Sequence, residues 1–363
     1  MKVPFLDLQA GYLELKDDID SEVSRVLNSG VYIGGHEVLA FENEWAHYCG
    51  ASHSVAVGNG LDALRLALLS LNIGVGDEVI VPAHTFIATW LAVTSVGATP
   101  VPVEPNILSF NIDYSLISAS ITSATKAIIP VHLYGQPCDL DPILDLAKHY
   151  SLFVIEDAAQ AHGSRYKGRR IGTHGIVTCW SFYPGKNLGA FGDAGAITTN
   201  NHDLALKIRT LSNYGSAAKY VNTLIGFNSR LDPLQAAILR VKLRYLDEWN
   251  SRRKLIADYY SSCLKEANLI LPYVPDYADP VWHIYNILHE NRDSLKKSLE
   301  ISGVSCGCHY PVPPHRQLCY EEMFISESFP ITQHISDRAL SIPIGPHMNK
   351  FMDDVCEQIL INA

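Results

Sequence analysis

The sequence predicts an α/β fold with a mainly parallel sheet in a large domain, followed by a smaller C-terminal α+β domain. Two observations carry this. From Ser54 to about Asn200, short apolar runs alternate with stretches of helical periodicity, and strands alternating with helices are the pattern of a parallel sheet. After Asn201 the character changes to long amphipathic helices, then to a mixed segment from about Asn268. A chain of 363 residues also exceeds one ordinary core and suits two domains. The expected division is 1–250 for the large domain and 251–363 for the small one.

Taken in order, "SVAV" (54–57) reads as a strand and "GLDALRLALLSL" as a helix, with Leu61, Leu64, Leu68 and Leu71 on one face. The strand "EVIVPA" follows, then a helix through "FIATWLAVTSV", then the strand "TPVPVE". "KAIIPVHLYG" and "LFVIEDA" are two further β-rich runs, separated by a helix around Pro142 to Tyr150. "VTCWSFY" and "AGAITTN" close the series. The run Leu231 to Leu264 reads as one long amphipathic helix, able to bridge two domains. The remainder holds "VWHIYNI" and "GVSCGCHYPVPP". There is no internal repeat and no low-complexity linker.

Composition narrows the partners. A hydrophobic content of 47% with 18% charged residues describes a well-packed globular protein. A net charge of −10 argues against non-specific binding to nucleic acid or anionic lipid. The first twenty residues alternate apolar and charged side chains without a signal-peptide block, and no run has the ~18 apolar residues of a membrane span. The eight cysteines are scattered, except Cys306 and Cys308. Reduced thiols and a cytoplasmic location are the expectation. "CGCH" (Cys306 to His309) has C-x-C spacing and no second half, so no metal is expected there.

Three local features fall at the carboxyl ends of predicted strands, where open parallel sheets bind ligands. "GNGLDAL" turns tightly from strand to helix and aims free backbone N–H groups at one point, which suits a phosphate. "VIEDAAQAHG" ends a very apolar strand in Asp157, a carboxylate that needs a partner to offset its desolvation. Gln160 follows at one helical turn's distance. "SFYPGKNLGAFGDAGA" places Lys186 in a loop with Gly185, Gly189, Gly192 and Gly195, where almost nothing else is charged. An amine with reduced hydration is the kind that attacks carbonyls. Alone, each has an ordinary reading: a strand-to-helix turn, a capping aspartate, a loop lysine. Together, a phosphate cradle, a buried carboxylate and a desolvated lysine are the needs of pyridoxal phosphate, with Lys186 as the point of attachment.

These motifs, with "PFLDL", "VPAHTFIAT", "VHLYGQ", "GFNSRLDPLQAAIL" and "HYPVPPHRQ", resemble the DegT–DnrJ–StrS family of nucleotide-sugar aminotransferases over nearly the whole chain. The resemblance implies the aspartate-aminotransferase type of fold (pyridoxal-phosphate fold type I) and a homodimer with shared sites. It implies Lys186 as the Schiff-base lysine, Asp157 as the partner of the pyridine nitrogen, Gln160 beside the ring hydroxyl and Phe86 on the ring face. Asn59, Gly60 and Ser181 would hold the phosphate, joined by Asn228 from the other subunit. Tyr183, Lys219, His309 and Tyr310 would line the sugar pocket, Lys219 reaching across the dimer. Many relatives carry Ser/Thr-Gly-Thr where this chain has "NGL", so Asn59 must stand in for lost hydroxyls. The implied reaction moves an amino group from L-glutamate to a keto-sugar nucleotide, in making surface-polysaccharide sugars. The run "NYGSAAKYVNTLIGFNSRLDPLQAAILRVKL" looks more like 3-aminotransferases acting on dTDP-3-keto-6-deoxyhexoses than like 4-aminotransferases.

Two other classes compete. "GNGLDA" also fits the dinucleotide fingerprint of a nicotinamide-dependent sugar oxidoreductase. Against it, more than fifty residues precede that strand, and the next strand ends in Pro82 instead of a ribose-binding acid. A non-catalytic relative would be expected to lack Lys186, which is intact beside Asp157.

Overall fold

The computed structural model describes residues 2–363. Its central sheet has seven strands: β1 (His53–Val57), β2 (Glu78–Pro82), β3 (Thr99–Val103), β4 (Thr125–Ile128), β5 (Phe153–Asp157), β6 (Val177–Ser181) and β7 (Gly195–Thr199). Their spatial order is β1-β7-β6-β5-β4-β2-β3. The pairings β6–β5, β5–β4, β4–β2 and β2–β3 are parallel. β7 alone runs against its neighbours β1 and β6. The mainly parallel sheet is therefore present, with one reversed strand.

Alternation along each strand builds two cores. Ala56, Ile80, Ile128, Val154 and Trp180 point into one buried cluster, while Val57, Val81, Ile155, Cys179 and Ile197 point into another across the sheet. The helix Gly60–Ser70 caps itself with Asn59, whose side chain accepts a hydrogen bond from the Asp62 N–H at 2.8 Å. Leu64 and Leu68 are buried as expected, but so are Ala63, Leu66 and Ala67, because the helix packs against the sheet and against two further helices. Leu61 and Leu71, at its ends, are only half-buried.

The long helix expected over 231–264 is two helices, Pro233–Leu243 and Leu246–Cys263. Arg244 and Tyr245 close the first with tight turns to Val241 and Lys242, so the chain changes direction there. The second helix still joins two cores, with Leu246 in the cluster under the sheet and Ile256, Ala257 and Tyr260 in a separate C-terminal cluster. That cluster also packs around β8 (Tyr285–Leu288) and its antiparallel partner β9 (Ala339–Ile342). Val3 belongs to it and bridges Val304, so the first residues pack with the last third of the chain. Among the described residues all eight cysteines are unpaired, no helix is long and apolar enough to cross a membrane, and no metal-ligating cluster of three side chains occurs.

Candidate active site

The carboxyl ends of β1, β2, β5 and β6 lie along one edge of the sheet. Because β7 is reversed, its first residue, Gly195, sits at the same edge, opposite both Val57 and Ser181. The layers there are in contact. A Cβ on Gly60 would stand 2.6 Å from that of Ser181, and one on Gly195 would stand 2.5 Å from the Asn59 carbonyl. Both positions must be glycine for the loop at Asn59 to lie on the ends of β6 and β7. This presses the N-terminal N–H groups of an eleven-residue helix against the Ser181 hydroxyl, a cup suited to phosphate. Below it, Ser229 donates to Asp62 at 2.7 Å and accepts from the Gly58 N–H at 3.0 Å.

Asp157 ends β5 and is 6% exposed. Its carboxylate accepts from the Thr89 hydroxyl at 2.9 Å and from the Ala159 N–H at 3.2 Å, and it forms no ion pair. Burial pushes its pKa up, against the pull of those two bonds and of Lys186. A buried, hydrogen-bonded carboxylate outside any ion pair among the described residues is the counterpart that a protonated pyridine nitrogen would complete. Thr89 in turn lies 3.0 Å from the Thr85 hydroxyl.

No helix follows Asp157; Gln160 sits in a turn instead of one helical turn on. It is nonetheless held on the same face. Its side-chain oxygen accepts from the Tyr134 N–H at 2.6 Å and its amide donates to the Tyr310 hydroxyl at 2.9 Å. Phe86 is 51% exposed at the mouth, its ring centroid 5.4 Å from that of Tyr310.

Lys186 follows a tight turn in which its N–H bonds the Tyr183 carbonyl at 2.8 Å. Part of the side chain stays accessible, yet burial draws its pKa down to about 8, with Asp157 opposing. The next residue, Asn187, donates to Asn250 at 2.9 Å and to the Val281 carbonyl at 2.8 Å, and its oxygen lies 3.1 Å from His283. The lysine loop is thus clamped to the later part of the chain.

The expected sugar-side residues divide into two groups. His309 and Tyr310 are at the cluster. The His309 Nδ1 lies 2.8 Å from the Ser341 hydroxyl, which is also 3.1 Å from the Asn286 side-chain amide, so one ring nitrogen is held by the protein. Burial, aided by Lys186, keeps the ring neutral with a pKa of about 4. The His309 carbonyl accepts from the Tyr134 hydroxyl. Tyr183 stands at the opening, 59% exposed. Lys219 and Asn228 stay outside the cluster within one chain. Lys219 lies on the exposed hairpin of Ser216–Ala218 and Val221–Asn222, its amine 5.2 Å from the Tyr220 ring centroid. Asn228 is exposed and bridges Asn213. Thr89, Tyr134 and Asn187 were not singled out from sequence, although Thr85 and Thr89, four apart at a helix start, were a readable pair.

The chain belongs to the DegT/DnrJ/EryC1/StrS aminotransferase family, whose model matches residues 14–360. It is 50% identical over 348 residues to dTDP-3-amino-3,6-dideoxy-alpha-D-galactopyranose transaminase of Aneurinibacillus thermoaerophilus, covering 96% of each chain. It is 49% identical over 351 residues to dTDP-3-amino-3,4,6-trideoxy-alpha-D-glucose transaminase of Streptomyces venezuelae, covering 96% of this chain and 93% of that one. Its fold matches S. venezuelae DesV, solved in complex with a ketimine intermediate, with a TM-score of 0.97 at 48% identity, over 99% and 98% of the two chains. NtdA of Bacillus subtilis with bound cofactor PMP gives 0.91 at 33% identity, over 99% and 84%. The protein is an aminotransferase of the pyridoxal-phosphate class, and the cup, the carboxylate and the lysine fit that cofactor.

Proposed function

We propose that this enzyme transfers the amino group of L-glutamate to C3 of a nucleotide-linked keto sugar, a dTDP-3-keto-6-deoxyhexose, giving a dTDP-3-amino-3,6-dideoxyhexose. The observation that carries this reading is a half-buried Lys186 with its pKa drawn down, next to the unpaired carboxylate of Asp157, in a chain about half identical to two dTDP-3-amino-sugar transaminases. Pyridoxal phosphate, when bound, supplies the electron sink and carries the amine between half-reactions. Asn59, Gly60 and Ser181 would hold its phosphate, Phe86 its ring face and Gln160 its hydroxyl. Asp157 would keep a proton on the ring nitrogen. Lys186 would tether the cofactor between turnovers and, once displaced, move a proton between substrate and cofactor carbons. Tyr183, Lys219, His309 and Tyr310 would orient the sugar nucleotide. We place the large domain at 1–250, carrying the cofactor residues, and the small domain at 251–363, carrying His309 and Tyr310.

The test supplies dTDP-3-keto and dTDP-4-keto-6-deoxy sugars separately with L-glutamate and assigns the product by NMR. Nitrogen at C3 is expected. Nitrogen at C4 with the 3-keto compounds untouched would assign a 4-aminotransferase instead and leave the cofactor chemistry standing.

We further infer a homodimer with shared sites, working in the cytoplasm. Tyr220 is 89% and Ile225 94% exposed on the segment that carries Lys219 and Asn228, a concentration of apolar surface that suits a partner. Mixing inactive Lys186→Ala protein with inactive Asn228→Asp protein is expected to restore part of the activity, since one site of each mixed dimer keeps both residues. No recovery after proven subunit exchange would place Asn228 in its own chain's site.

A further inference from the structure

Two threonines stand behind Asp157, and the chemistry described so far gives them no task. Thr85 and Thr89 are each 1% exposed, four residues apart where the chain after β2 enters the helix Ala88–Ser95. Their hydroxyls are 3.0 Å apart, and that of Thr89 is 2.9 Å from Asp157 Oδ2. A helical threonine ordinarily turns its hydroxyl back on a carbonyl of its own helix. Thr94, in the same helix, does this with Trp90 and Leu91. Thr89 does not; its hydroxyl leaves the helix for the carboxylate. Proton counting then gives the pair a direction. Each hydroxyl has one proton and an ionised carboxylate only accepts, so Thr89 spends its proton on Asp157 and accepts from Thr85.

The two carboxylate oxygens are held unequally. Oδ1 takes the Ala159 N–H at 3.2 Å, from two residues on in the same turn, whereas Oδ2 takes Thr89 from a different element. Without Thr89 the carboxylate would keep one long bond to a neighbour that moves with it, and its plane would be free to turn. A buried carboxylate that loses a donor also shifts toward its protonated form. Lys186 and His132 favour its charge as well, but neither is hydrogen bonded to it among the described residues. We propose that Thr89, backed by Thr85, is a positioning residue, which fixes the plane of the Asp157 carboxylate and holds it ionised so that the ring nitrogen of the bound cofactor stays protonated. The proposal rests on the reading of Asp157 as the partner of that nitrogen. Thr89 would act through Asp157 alone and would exchange no proton with the substrate.

The experiment loads the protein with pyridoxal phosphate isotopically labelled at the ring nitrogen and follows that nitrogen by NMR, alongside kcat and KM. Thr89→Val keeps the branched shape and removes the hydroxyl. Its ring-nitrogen signal is expected to move toward the unprotonated position, with kcat lowered about 10- to 100-fold, the worth of one hydrogen bond to a charged group, and KM for the amino donor within about threefold of the parent. Thr89→Ser is expected to restore the signal, and kcat to within about threefold. Thr85→Val leaves the contact with Asp157 in place and is expected to move both readouts in the same direction by less, about two- to fivefold in kcat. In an Asp157→Asn background, Thr89→Val is expected to cost no more than about twofold further, because the two residues act as one unit. A parent-like signal in Thr89→Val, with Asp157→Asn deprotonating the ring, overturns the proposal and leaves the Asp157 reading standing. A full Thr89→Val loss persisting in the Asp157→Asn background overturns it too, since Thr89 would then be serving the packing of its helix. A ring nitrogen still protonated in Asp157→Asn removes the Asp157 reading, and the proposal with it.

Discussion

Lys186→Ala is expected to lower turnover by about 10⁴-fold or more, because one side chain supplies both the covalent tether and the proton carrier. The loss is not expected to extend to cofactor binding. The cup at Asn59, Gly60 and Ser181 is built from helix-end N–H groups and the close approach enforced by two glycines, none of which depends on the lysine. Added pyridoxamine phosphate should therefore still bind, followed by its absorbance after gel filtration. Steady-state transamination within about tenfold of the parent enzyme would be incompatible with the assignment. The environment also explains why this lysine serves. An ordinary ammonium near pH 7 to 8 is almost entirely protonated, whereas burial here holds the pKa at about 8, so a sizeable share is nucleophilic in that range.

Asp157→Asn is the second large effect, an expected drop of about 10²- to 10⁴-fold in kcat. Asparagine keeps the shape and can still accept from the Ala159 N–H, but it cannot hold a proton on the ring nitrogen by charge. Proton removal from the donor carbon should become slower relative to donor binding, read as a larger isotope effect with α-deuterated glutamate. The same substitution should not destabilise the cofactor-free protein. There the carboxylate is buried with its pKa pushed up by desolvation and is in no ion pair among the described residues, so a neutral side chain removes a desolvation cost. A thermal midpoint unchanged or raised without cofactor, together with lost activity, is the expected pair. A midpoint lowered by several degrees would make Asp157 a structural residue first.

The sequence was informative where chemistry and periodicity are local. The β-branched apolar stretches within "EVIVP" and "FVIED" mark strands although each run also holds acids, and Lys186 stood out because its neighbours are small and uncharged. Strand direction is not local, so the reversal of β7 left no trace in "AGAITT". The break at Arg244 and Tyr245 was hidden for a related reason: neither residue opposes helix, and the turn is imposed by packing on two different cores. Thr89 and Tyr134 act through single bonds to Asp157 and Gln160 across 68 and 26 residues, a relation that one sequence does not display. Gln160 shows the converse. The expected helical spacing is absent, yet contacts from Tyr134 and Tyr310 bring it to the same face.

The clamp at Asn187 has a thermodynamic consequence. It ties the lysine loop to Asn250, Val281 and His283 through three contacts, so the loop cannot keep its shape if the later part of the chain swings away. Whatever occupies the lysine's site therefore stabilises the docked arrangement by linkage, in proportion to RT ln(1 + [L]/Kd). Cofactor retention is thereby coupled to the docking of the lysine loop on Asn250, Val281 and His283. Loss of the cofactor removes that contribution, so the cofactor-free protein is expected to open at a lower temperature than the loaded one.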